Sequence, residues 1–126
     1  MIYGIGVDVL EPSRIARLFE QYGERFVRRV LTEDEIPAYR RSRRPVQFVA
    51  NRFAAKEAFS KAMGTGFRYP VTLGQISVLQ NTAGKPELYF RPDLKRRVDA
   101  EGIVGAHVTI SDEKHVVCAV VVLERA

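Results

Sequence analysis

The chain has 126 residues, 46% hydrophobic and 28% charged, an ordinary soluble composition at a length that predicts a single domain over 1–126. A balance of 20 basic against 15 acidic residues leaves +5, which favours anionic partners: nucleic acid, phosphorylated small molecules, acidic proteins or membrane headgroups. The amino terminus MIYGIGVDVL has neither the basic region nor the long apolar stretch of a signal peptide, and the apolar run at 116–123 is too short to span a bilayer, so a cytoplasmic protein is expected.

Residues 2–10 alternate as a strand, with Tyr3, Ile5, Val7 and Val9 on one face and Gly4, Gly6 and Asp8 on the other. On this reading the aspartate faces outward from a bare glycine strip. Pro12 suits a first helical residue, Ile15, Leu18, Phe19 and Tyr22 share a helix face, and Gly23 is a natural stop. A short helix follows through Phe26, Val27, Val30 and Leu31, and Thr32 with Glu35 has the spacing of a capping box for a third. The basic run at 40–44 ends at Pro45, which can start a helix continuing to Met63 and ending at Gly64.

Beyond that helix, Ile76 and Val78 mark a strand, residues 81–86 a turn, and Leu88 and Phe90 a second strand. A short helix is expected from Pro92 to Glu101, stopped by Gly102, and two strands over 107–111 and 116–124 are joined by a loop at 112–114. Cys118, the sole cysteine, cannot form an internal disulfide, and its apolar neighbours predict a buried, inert thiol. Helices early and antiparallel strands late predict an α+β fold, an antiparallel sheet against a long central helix.

That helix carries the sharpest question. Phe53, Ala54, Ala55, Ala58, Phe59, Ala62 and Met63 wrap most of its circumference, yet Lys56, Glu57 and Lys61 emerge from it. Glu57 and Lys61 are four apart, the spacing of a surface ion pair of about 0.3–0.5 kcal/mol. On an apolar helix their desolvation instead asks for a metal, a phosphate or another charge. Asp8, a carboxylate at the end of a glycine-faced strand, could join Glu57 around a hard cation such as magnesium, with Lys61 one turn on to meet a phosphate. The alternative of a nucleic-acid-binding protein rests on charge alone, without a recognition-helix signature, zinc-ligand spacing or paired aromatic strand motif.

GIGVDVL at 4–10 with Arg14 and Ile15, RFAAKEAFSKAMGTG at 52–66, GKP at 84–86 and HVTIS at 107–111 together resemble the holo-[acyl-carrier-protein] synthase family of 4'-phosphopantetheinyl transferases. The resemblance covers nearly the whole chain. It implies the transferase fold and a cytoplasmic, magnesium-dependent enzyme of fatty acid biosynthesis. Such an enzyme moves the 4'-phosphopantetheine arm of coenzyme A to a serine of apo acyl carrier protein and releases adenosine 3',5'-bisphosphate.

Carried over by motif, Asp8 and Glu57 match the family's Mg2+ ligands and, with Lys61, form the catalytic set. Arg52, Lys61, Gly64, Gly84, Lys85, Pro86 and His107 match its coenzyme A contacts. For Arg52 and Lys56, contact with coenzyme A phosphates and exposure to solvent both remain open, and either Glu57 or a metal-bound water could accept the serine proton. Many members carry histidine after the HVTIS-type motif, whereas this chain has Asp112, which receives no role. The family assembles as trimers with active sites between subunits, which implies a homotrimer. Arg14, Arg17, Arg25 and Arg29 form a basic surface suited to the acidic carrier protein, and no nucleic-acid or membrane partner is expected.

Overall fold

The computed structural model describes all 126 residues. Strand β1 (Ile2–Leu10) leads into helices α1 (Pro12–Tyr22), α2 (Glu24–Val30), α3 (Ile36–Arg41) and α4 (Pro45–Met63). A 3-10 turn at Leu73–Gln75 precedes β2 (Ile76–Gln80) and β3 (Pro86–Phe90), followed by α5 (Pro92–Ala100), β4 (Ile103–Asp112) and β5 (Val117–Arg125). Prolines open α1, α4 and α5, where a missing N–H costs no helix hydrogen bond. Helix α4 ends where Gly64 takes a left-handed φ of 76°, a conformation that side chains resist.

The expected sheet on a long helix is present as β1-β5-β4, antiparallel throughout and laid against α4, while β2 and β3 pair separately. Both chain ends lie in the larger sheet, and the Met1 amino group donates to the Arg125 carbonyl at 3.0 Å.

The packing of β1 corrects the expected orientation of Asp8. The glycine face is the inner one. A Cβ at Gly6 would collide with the Ala58 carbonyl and stand 2.6 Å from the Ala62 nitrogen, and one at Gly4 would collide with the Ala62 carbonyl. Helix backbone therefore lies directly on strand backbone, and Asp8 points toward α4 rather than away from it. The apolar face is the outer one, with Ile5, Val7 and Val9 exposed at 59%, 49% and 63%. Cys118 sits opposite Val9 on that face and is half-buried, not fully buried as expected, because nothing in the chain covers this side of the sheet.

Lys56 is the second correction. It neither faces solvent nor waits for a phosphate: its side chain and that of Glu35 are wholly buried as a pair 2.7 Å apart. The ammonium also donates to the carbonyls of Val30 at 2.6 Å and Leu73 at 3.1 Å, and Glu35 accepts from the backbone N–H groups of Thr32 and Val78. The expected capping box is therefore half made: Glu35 reaches back to Thr32, but the Thr32 hydroxyl pairs with Ser77 at 2.6 Å. Burial pushes the Lys56 pKa down, and the charge of Glu35 opposes that fall. Every donor and acceptor of the pair is answered, the condition under which a buried ion pair is tolerated.

Two outcomes follow from this packing. Gly6→Ala should cost about 3 kcal/mol in urea unfolding, because backbone rather than a flexible side chain blocks the new methyl, whereas Gly74→Ala, with nothing within 4 Å, should not destabilise. Equal losses at the two positions would refute the close approach. Lys56→Met should cost about 3–5 kcal/mol at neutral pH by stranding Glu35. A loss under about 1 kcal/mol would show that Glu35 is not stranded.

Candidate active site

The inward turn of Asp8 brings together the charged residues singled out on β1 and α4. Lys61 Nζ donates to Asp8 Oδ1 at 3.2 Å and to the Val7 carbonyl at 3.0 Å, so its partner is the strand and not Glu57. The surface ion pair suggested by the i, i+4 spacing is not what forms. Burial pushes the Glu57 pKa up and the charge of Asp8 adds to the rise, against Lys61 and Arg14. Four charged groups thus share one end of the β1–α4 contact, with the Asp8 charge opposing ionisation of Glu57. Such a pair of oxygen donors suits a hard divalent cation, which would relieve the repulsion.

Farther up α4, the Arg52 guanidinium stacks on the Phe48 ring, 3.9 Å from its centroid. Arg52 is buried, its Nε has no hydrogen-bond partner, and burial pushes its pKa down against the charge of Glu35. A desolvated cation with an unanswered donor is suited to an anion. Gly64 lies exposed just past Met63, as the helix stop.

A second group gathers on β3 and β4. Lys85, Pro86 and His107 line one cleft of about 190 Å³, together with Leu88, Tyr89 and Ala106. Gly84 belongs to the preceding turn, where the Asn81 side chain accepts from the N–H groups of Ala83 at 2.9 Å and Lys85 at 3.0 Å. The two groups do not meet within one chain. Directly opposed residues of an antiparallel pair share a face, and His107, Val122 and Ile5 form such a row, on the outer side. Asp8 shares its row with buried Ala119, on the α4 side.

The arginines divide as well. Arg25 and Arg29 line a cleft of about 330 Å³ with Leu18, Tyr22 and Phe26, between α1 and α2. Arg14 lies near enough to Glu57 for its charge to be felt there, and Arg17 is exposed on α1 outside that cleft.

One contact had no sequence signal. Asp112 accepts from the side chains of Gln47 and, at 2.8 Å, of Asn51, and Gln47 also donates to the Glu113 carbonyl at 2.9 Å. The carboxylate left without a role thus clasps the first turns of α4 to the end of β4. The i, i+4 spacing of Gln47 and Asn51 was visible, but their acceptor lies 65 and 61 residues away.

The model of the 4'-phosphopantetheinyl transferase superfamily matches residues 4–121. The holo-[acyl-carrier-protein] synthase of Nitrosospira multiformis is 55% identical over 125 residues, covering 99% of this chain and 100% of its own. The same enzyme of Nitrosomonas eutropha is 54% identical with the same coverage. The crystal structure of the Neisseria meningitidis holo-[acyl-carrier-protein] synthase superposes with a TM-score of 0.96 at 42% identity, over 99% of this chain and all of that one. The Bacillus anthracis enzyme, solved in complex with CoA (3',5'-ADP), gives 0.84 at 38% identity over 100% and 99% of the two chains. With the signature residues assembled where β1 meets α4, and relatives matched end to end, the chain belongs to the holo-[acyl-carrier-protein] synthase family of the 4'-phosphopantetheinyl transferase superfamily.

Proposed function

We propose that residues 1–126 act as one transferase domain that moves 4'-phosphopantetheine from coenzyme A to a serine of apo acyl carrier protein, in the cytoplasm and in the service of fatty acid biosynthesis. The observation that carries this reading is the convergence of Asp8, Glu57 and Lys61 at the β1–α4 contact. The serine oxygen forms a bond to the phosphorus that bears pantetheine, the bond to the bridging oxygen breaks, and adenosine 3',5'-bisphosphate leaves. Chemistry of this kind depends on positioning and on neutralising charge.

Asp8 and Glu57 are the residues that would hold Mg2+, and the rise of the Glu57 pKa beside the Asp8 charge fits that role. When bound, the metal supplies charge neutralisation at the pyrophosphate oxygens. Lys61, half exposed beside Asp8, is placed to meet the phosphate on which charge develops. Glu57 is the group of this chain best placed to take the serine proton, directly or through a water it orients. Arg52, with its unanswered Nε, serves a phosphate of coenzyme A, and Gly64 leaves the end of α4 open to the same ligand.

The cleft of Lys85, Pro86 and His107, with Gly84 at its turn, takes another part of coenzyme A. Because that cleft and Asp8 lie on opposite faces of the sheet, a complete site draws them from two copies of the chain. The exposed row of Ile5, Val7 and Val9 supplies the apolar surface for this contact and supports sites between subunits, in the homotrimer that the family resemblance implies. Arg14, Arg17, Arg25 and Arg29 face the acidic carrier, and the apolar cleft between α1 and α2 gives its helix a place to seat.

Intact-mass analysis of an apo acyl carrier protein incubated with the chain, coenzyme A and magnesium should show the gain of one phosphopantetheine. Chelation should abolish the gain, and Asp8→Ala or Glu57→Ala should slow it roughly 10²–10³-fold. No gain from a folded protein across several carriers would refute the transferase; full activity in both variants would refute the site. Arg14→Glu should raise the carrier KM at least several-fold more than the coenzyme A KM, and an unchanged carrier KM would remove Arg14 from the docking surface.

A further inference from the structure

His107 does not stand alone on the outer face of the sheet. Its Nε2 lies 2.5 Å from Oε1 of Glu124 on β5. Both side chains are about half exposed, 57% and 47%, so the pair contributes little to stability. Its geometry is more informative. The residue directly opposite Glu124 is Gly105, whereas His107 faces Val122, so the carboxylate reaches His107 diagonally. A Cβ at position 105 would stand 3.1 Å from Glu124 Oε1 and 3.3 Å from His107 Nε2, pressed against the side of the pair. Gly105 is not among the glycines with positive φ, so its backbone does not demand glycine. The missing side chain leaves room for the pair, next to a register shift that re-aims the start of β4.

We propose that Glu124 is a positioning residue for coenzyme A, which fixes the His107 ring in the room left beside Gly105 so that Nδ1 is the nitrogen offered to the ligand. The inference rests on the reading that the cleft of Lys85, Pro86 and His107 takes coenzyme A. A carboxylate only accepts, so Nε2 carries the proton, leaving Nδ1 to accept from a hydroxyl or amine when the ring is neutral, or to donate to a phosphate when it is charged. Without Glu124 the ring can rotate and present either nitrogen, and ordering it falls to the binding step.

The sign of the effect separates this role from a passive surface pair. Glu124 is a negative charge beside a cleft that would receive a polyanion, so if it acted only through charge, its removal would leave binding unchanged or tighten it. A positioning role makes removal weaken binding.

The test is calorimetric titration of coenzyme A, in the presence of magnesium, into the wild-type chain and into Glu124→Ala, Glu124→Gln, His107→Ala and the double alanine variant. Light scattering confirms equal assembly of all five. Glu124→Ala should weaken binding about 3- to 10-fold and raise the coenzyme A KM with kcat at saturation unchanged. Glu124→Gln, which keeps an acceptor oxygen, should stay within twofold of wild type. In the His107→Ala background the Glu124→Ala change should add nothing. Unchanged or tighter binding by Glu124→Ala, or an equal loss in both backgrounds, overturns the role of Glu124 while leaving the cleft intact. A wild-type chain that binds no coenzyme A, or a His107→Ala variant that binds it normally, overturns the reading of the cleft itself and this proposal with it.

Discussion

The contact on which the rest of the molecule depends is that of two backbones, α4 lying on the glycine strip of β1. Gly4 and Gly6 leave no side chains between strand and helix, and Ala58 and Ala62 answer with the smallest side chains that keep a helix stable. The resulting distance is what lets short-armed Asp8 share a site with Glu57 and Lys61. Larger residues at either glycine would lift the helix and separate the carboxylates. The same contact turns the apolar row of β1 outward, so the feature that builds half of the proposed site also exposes the surface on which the other half would arrive.

The charges of α4 divide between two tasks according to which way each faces. Lys56 points into the core and ties α4 to the end of α2, to Glu35 before α3, and to the 3-10 turn before β2. Glu57, its neighbour in the chain, lies about 100° farther round the helix and faces Asp8. A buried ion pair contributes little net stability, but it has strict geometric demands and so admits few alternative registers of α4. Asp112 acts similarly near the start of the helix, gripping Gln47 and Asn51 from β4. The helix that carries Arg52, Glu57 and Lys61 is thereby held by polar contacts near its start and at its middle, and by backbone packing where Ala58 and Ala62 meet β1.

Much of the architecture was legible in the sequence because its signals are local. Prolines and glycines bounded α1, α4 and α5 within a residue or so, and alternation marked β1, since helix and strand periods depend on neighbours a few positions away, whereas β4 begins at Ile103, ahead of the expected start at 107. The signature around residues 52–66 also singled out Glu57 and Lys61 by chemistry, as charges on a helix with no solvated stripe. Less legible was what each charge touches. Lys56 and Glu57 look alike as adjacent charges in that segment, and the capping spacing of Thr32 and Glu35 masked the carboxylate's main partner.

The sequence alone sufficed for most of the elements, the ends of α1, α4 and α5, the unusual charges on β1 and α4, and the family. Only the tertiary structure decided which face of β1 is buried, that Lys61 pairs with Asp8 rather than Glu57, that Lys56 is an anchor, and that His107 and Asp8 occupy opposite faces of one sheet. The physical reason is range. Propensity, capping and periodicity act over a few residues, whereas the orientation of a two-faced strand and the partner of a charge are settled by surfaces brought together from distant parts of the chain. For β1 the usual rule is overridden, because an apolar face can be left exposed when its bare face offers a helix closer contact.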